Sequence, residues 1–295
     1  MASAGLLDGF RRTSVDTGDA TIAVRTGGVG PPVLLLHGYP QTQVMWHAVA
    51  PRLAEDFTVV LTDLRGYGDS SKPAGDAGHR TYSKRATAGD QIGVMSRLGF
   101  DRFSVVGHDR GGRVGHRLAL DHPDRVVRLA VIDIAPTHMM LHTTDMEFAL
   151  AYYHWFFLSQ PYDLPERLIG ADPDYWVRRK LGAHDGGERR FHPAALAEYL
   201  RCFRDPAAIH AGCEDYRAAA SVDLDDDEGD MGARVRCPVL ALWGDDGFVG
   251  RRYDVVAAWR ERADDVAGHG LPCGHYVPEE APDATCDSLR RFLHD

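Results

Sequence analysis

The chain lacks the features that would mark a secreted, membrane-bound or nucleic-acid-binding protein. Its 295 residues include only five cysteines, Cys202, Cys213, Cys237, Cys273 and Cys286. The number is odd and no Cys-x-x-Cys pair occurs, so neither a disulfide framework nor a thiolate zinc site is indicated, and a reducing cytoplasm is the expected location. Met1 to Phe10 has no basic start leading into an apolar core, and no stretch reaches the ~18 apolar residues of a membrane-spanning helix. Basic charge is in deficit: 33 Lys and Arg against 43 Asp and Glu give a net charge of -10, which argues against a nucleic-acid partner. A small anion held by a local arginine pair stays compatible with that mean field. Internal repeats and low-complexity tracts are also missing. The Gly27-Gly28-Val29-Gly30 turn fails as a dinucleotide fingerprint, because Pro31 and Pro32 follow where a helix should begin.

What is present is a series of short apolar runs. Val33–Leu36, Thr58–Thr62, Phe103–Val106, Val127–Ile132 and Pro238–Trp243 each read as a strand buried on both faces, with a last strand near Val266. Phe10 to Arg25 alternates around Gly18-Asp19 and predicts an antiparallel hairpin at a sheet edge. A helix is expected over Tyr82 to Leu98. Strands that alternate with helices imply an α/β class with a mostly parallel sheet flanked by helices, and functional groups belong at the strands' carboxyl ends, where His37, Asp63, Asp109 and Asp133 lie. After Pro136 the texture becomes aromatic and helical (Met146–Leu158, Pro173–Leu181, Pro193–Phe203, Cys213–Ala220) without a buried strand. This predicts an inserted helical cap over 137–233 between core segments 1–136 and 234–295. The acidic stretch Asp223 to Asp230 has a calcium-loop rhythm, but Glu228 stands where that loop needs Gly, so a solvated connector is expected.

The stretch with most chemical content is Ser104-Val105-Val106-Gly107-His108-Asp109-Arg110-Gly111-Gly112. Gly-x-Asp-x-Gly is the pattern of a nucleophile elbow with a carboxylate in place of the hydroxyl, in which a tight strand-to-helix turn lifts residue 109 clear of the sheet. A carboxylate nucleophile forms an ester that water must cleave, so the site also needs a base, an orienting acid and amide donors. His275 follows the last strand, late in the chain, as the order nucleophile, acid, histidine requires. The orienting acid is Asp133 or one of Asp245 and Asp246. The backbone N–H groups of Tyr39 and Arg110 are the expected oxyanion hole.

His37-Gly38-Tyr39-Pro40-Gln41-Thr42, Gly107 to Arg113, Asp133-Ile134-Ala135-Pro136-Thr137, Tyr153-His154-Trp155-Phe156, Cys213-Glu214-Asp215-Tyr216-Arg217 and Gly274-His275 through Pro282 together resemble the fluoroacetate (haloacetate) dehalogenases of the α/β-hydrolase fold. The resemblance covers essentially the whole chain. It implies a cofactor-free, metal-free enzyme that turns 2-haloacetates into glycolate and halide through an ester on Asp109, and it favours Asp133 as the triad acid, since Gly247 occupies the later alternative position. Arg110 and Arg113 would bind the substrate carboxylate, for which the planar guanidinium fork is suited. His154, Trp155 and Tyr216 would hold the leaving halide. Trp176 and His184 would line the cap entrance, and His184 stands where relatives tend to carry Trp. A homodimer is implied, with a small haloacid and neither nucleic acid nor membrane as partner. A rival within the fold is an epoxide hydrolase using Asp109 and His275 with Tyr153 and Tyr216 as acids; one of another class is a non-catalytic receptor for a small carboxylate.

Overall fold

The computed structural model describes residues 5–182 and 190–294. Eight strands, β1 (Arg11–Asp16), β2 (Thr21–Gly27), β3 (Pro32–Leu36), β4 (Thr58–Thr62), β5 (Phe103–His108), β6 (Val126–Ile132), β7 (Val239–Gly244) and β8 (Val266–Leu271), form one sheet in the order β1-β2-β4-β3-β5-β6-β7-β8. The hairpin β1–β2 and its junction with β4 are antiparallel, and every other pairing is parallel. Every residue of β5 is buried, because helices cover both faces of the sheet there and leave no position for a polar side chain facing water. At the edges, β1 and β8 alternate between exposed and buried residues.

The order places the reactive end of the molecule. From β3 the chain crosses to β4 on one side, then returns past β3 to β5 on the other. The loops leaving β3 and β5 therefore part at a switch point and open a crevice between them at the strands' carboxyl ends.

Between β6 and β7 the named elements among the described residues are all helices, with one isolated β-bridge from Val235 to Ala263. Here the structure refines the sequence reading. Met146–Leu158 is two helices, Met146–Ala151 and Tyr153–Leu158, broken at Tyr152 (φ -105°, ψ 28°). The helix expected from Cys213 already starts at Pro206, capped by the Asp205 carboxylate accepting from the Ala207 N–H. Thr137–His142 and Leu164–Ala171 are helices that the sequence did not announce. The acidic stretch is neither a calcium loop nor a solvated connector. It is the helix Val222–Gly229, most of whose acids are paired across the chain: Asp223 pairs with Lys84, Asp226 with Arg85, Asp227 with Arg117, and Asp230 just beyond it with both arginines. Among the described residues no helix is long and apolar enough to cross a membrane.

Candidate active site

The elbow forms where β5 meets the helix Arg110–Asp121. Asp109 sits between them at φ 48°, ψ -117°, a left-handed conformation that a non-glycine residue adopts only when its surroundings impose it. The flanking glycines serve by close approach rather than by unusual dihedrals. A Cβ on Gly107 would lie 2.4 Å from the Gly111 carbonyl oxygen, and one on Gly111 would lie 2.5 Å from the carbonyl oxygen of His37. Gly38 gives room to the candidate nucleophile, since a Cβ there would lie 2.5 Å from the Asp109 Cβ.

The Tyr39 N–H donates to Asp109 Oδ1 at 2.9 Å, so one carboxylate oxygen occupies the expected amide hole and Oδ2 is left for chemistry. Arg110 opens the helix, where its own N–H lacks an intrahelical acceptor. His275 Nδ1 lies 2.6 Å from Asp133 Oδ2, and Asp133 Oδ1 accepts the Gly244 N–H at 3.0 Å. Asp133 also has a positive φ, 52°. Neither Asp245 nor Asp246 takes this place; Asp245 lies beside Gly270 on the next strand.

Asp109, Asp133, His275, Tyr39, His154 and Tyr216 line one cavity of about 180 Å³, together with Ala151, Tyr152, Lys180, Phe248 and Tyr276. Burial would push the Asp109 carboxyl up, but the positive charges of His275, Arg110 and Arg113 outweigh it and the net direction is down. Burial works against the His275 imidazolium as well, yet the bond to Asp133 and the charges of Asp133 and Asp109 raise it above its ordinary 6.5. His108, pushed down to about 4 mainly by burial, is neutral and sits 2.8 Å from the His275 carbonyl oxygen, so its Nε2–H donates there and fixes the loop. His37 is similarly architectural: Nε2 accepts the Leu64 N–H and Nδ1 donates to the Gly38 carbonyl.

The arginines and Trp155 stand one layer behind the cavity wall. Arg110 is fully buried and bidentate to Asp215, Nε to Oδ2 and Nη2 to Oδ1 at 2.8 Å each, with its guanidinium 4.3 Å from the Tyr216 ring centre. Asp215 is held further by Tyr67 and Lys84. Arg113 donates to the Ala135 carbonyl and Thr137 hydroxyl and lies 4.8 Å from the Trp155 ring centre. Arg110 Nη1, Arg113 Nε, Trp155 Nε1 and His154 Nδ1 are buried with no hydrogen-bond partner in the protein. Burial drives the His154 imidazole far down, so the ring is neutral.

The sequence reading did not single out Lys180, Tyr152, Phe248 or Tyr276 as cavity residues. Lys180 closes the helix Pro173–Lys180 after Arg178 and Arg179, a run that reads as a solvated helix end. Burial lowers its ammonium to about 8 against the pull of Asp109. Trp176 donates its indole N–H to the Tyr39 hydroxyl at 2.6 Å, while His184 lies outside the described residues. Tyr153 is not among the cavity-lining residues and its ring lies 5.2 Å from the Lys180 amine.

With sheet order, elbow and Asp–His pair in place, the chain belongs to the family of the alpha/beta hydrolase fold, whose family model matches residues 31–282. It is 50% identical to the fluoroacetate dehalogenase of Burkholderia sp over 291 residues, 98% of this chain and 96% of that one. It is 36% identical to the soluble epoxide hydrolase of Corynebacterium sp. (strain C12), covering 91% and 92% of the two chains. The crystal structure of ALR0039 from Nostoc sp PCC 7120 superposes with a TM-score of 0.94 at 61% identity, covering 96% of this chain and 98% of that one.

Proposed function

We propose that the protein hydrolyses 2-haloacetates to glycolate and halide through an ester on Asp109. The observation that carries this reading is the set of buried nitrogens without a protein partner in and directly behind the wall of the Asp109 cavity: Arg110 Nη1, Arg113 Nε, Trp155 Nε1 and His154 Nδ1. A buried donor without an acceptor is costly, by roughly 1–3 kcal/mol each, and an anionic substrate supplies the missing acceptors. The substrate carboxylate would take the guanidinium donors, and the leaving halide would meet the indole and imidazole N–H groups with the Tyr216 hydroxyl. The cavity of about 180 Å³ suits a two-carbon acid.

In the first step Asp109 Oδ2 forms a bond to the α-carbon as the carbon–halogen bond breaks, and the halide leaves with the bonding pair. In the second, His275 takes a proton from water as the water oxygen attacks Cγ of the ester. The tetrahedral oxyanion is held by the Tyr39 and Arg110 N–H groups, glycolate departs with the former Oδ2, and the imidazolium returns its proton. Asp133 keeps His275 in the tautomer that exposes Nε2 as the base.

Halide release from fluoroacetate and chloroacetate, followed by ion-selective electrode with wild type and Asp109→Asn, tests this. Wild type should release both halides and the variant neither. If wild type releases neither, the reading fails. Tyr152 and Tyr216 both line the cavity, which favours epoxide opening as the second reading. Arg113→Met separates the two: it should abolish haloacetate turnover and leave a neutral epoxide largely unaffected. We also propose a homodimer, supported by the exposed apolar side chains Met146, Leu150, Phe156, Leu164 and Leu168 of the insertion.

A further inference from the structure

The first and last helices of the insertion pack together at the surface. His138 and His142 stand one turn apart on Thr137–His142, their rings stacked at 3.9 Å and 20°, and Glu228 faces them from Val222–Gly229. His142 Nδ1 lies 2.9 Å from the His138 carbonyl oxygen and can only donate there, which in the neutral ring leaves the lone pair on Nε2. That nitrogen is 3.8 Å from Glu228 Oε1, beyond hydrogen-bond distance. An Nδ1–H held by a carbonyl with Nε2 free is the arrangement that orients metal-ligating histidines.

Ligand atoms of His138, His142 and Glu228 all lie within 4.8 Å of one another. Bonds of about 2.1 Å to a tetrahedral ion set ligands roughly 3.4 Å apart, so small rotations of these exposed side chains would close the set. Glu228 also differs from its neighbours: Asp223, Asp226, Asp227 and Asp230 are tied to Lys84, Arg85 or Arg117, whereas Glu228 has its only described ion-pair contact with His142. The cluster of Asp69, Glu198 and Cys202 makes the contrast clear, because the Arg201 guanidinium already bonds all of its members.

We propose that His138, His142 and Glu228 form a binding site for a borderline divalent cation of the Zn²⁺ type, with water completing the shell. Two imidazoles and a carboxylate select such an ion over the hard cations Mg²⁺ and Ca²⁺. The ion would fasten the helix on which the chain enters the insertion to the one on which it leaves. The entering helix also supplies the Thr137 hydroxyl and Met140 sulfur that contact Arg113.

Titration of the chelator-stripped full chain with ZnCl2 by calorimetry, with thermal unfolding in parallel, tests the site. The expected result is one Zn²⁺ per chain and a raised Tm, neither seen with MgCl2. His142→Ala, His138→Ala and Glu228→Gln should each weaken binding by about tenfold or more, with unchanged circular dichroism. No stoichiometric binding, equal binding of Mg²⁺, or affinity indifferent to any of the three substitutions would overturn the proposal.

Discussion

Asp109 and His275 set each other's charge. The native state favours the His275 imidazolium, so its contribution to stability is complete below the unfolded value of 6.5 and is lost as pH rises through the higher folded value. Base catalysis runs the other way, since only the neutral ring accepts the water proton. The acidic limb of kcat, read from halide release against pH, should therefore have its midpoint above 6.5. Asp133→Asn should move that midpoint down and lower kcat by about 10⁴-fold, the loss expected when the histidine is left in the wrong tautomer. The Tyr39 N–H makes a second prediction, because it holds Oδ1 and so makes the two Asp109 oxygens inequivalent. In H2 18O the first turnover should yield unlabelled glycolate, since the product oxygen is the original Oδ2. If the carboxylate stays pinned, the second turnover should yield fully labelled product, and mass spectrometry showing half-labelled product would mean that it rotates.

Among the elements, the loop after β3, the cap helix Pro193–Phe203 and the helix Val277–Glu280 just past His275 meet at one buried acid. Glu279 accepts from the Tyr199 hydroxyl at 3.0 Å and from the Gln41 amide, and burial raises its carboxyl to about 8. A raised folded value means that the neutral acid is favoured: this contribution to stability is full below the unfolded 4.5 and disappears as pH rises through about 8. Glu279→Gln, which cannot ionise, should therefore melt above wild type at about pH 9 and lose that advantage at about pH 4. Such junctions also mark where sequence reading stops. The strands and the elbow were legible because apolar runs, Gly107 and Gly111 express local geometry. The bidentate hold of Asp215 on Arg110 was not, since 105 residues separate them and only the fold brings them together. Lys180 was not singled out, since nothing in the basic helix end Arg178-Arg179-Lys180 announces a cavity, and the acids of 223–230 read as a connector because Lys84, Arg85 and Arg117 lie far off in sequence.

For the molecule as a whole, most of the exposed large apolar side chains among the described residues lie on the insertion, Val29 in the turn after β2 being the exception: Met146, Leu150, Phe156, Leu164 and Leu168 are surface residues, Met146 and Leu150 being 74% and 71% exposed. Sedimentation should report a dimer for wild type, and Leu150→Lys with Leu168→Lys should give a folded monomer; an unchanged sedimentation coefficient would remove this face from the interface. The described chain also divides the chemistry between two bodies of structure. The proposed nucleophile, acid and base, Asp109, Asp133 and His275, stand on loops leaving β5, β6 and β8, while His154, Trp155 and Tyr216 come from helices between β6 and β7. Under the proposed mechanism, ester cleavage thus belongs to the sheet and leaving-group recognition to a single continuous excursion of the chain. In evolutionary terms the two can diverge separately: under the proposed mechanism, a lineage that rewrites the excursion changes how the leaving group is held while keeping Asp109, Asp133, His275 and the arginines of the helix Arg110–Asp121.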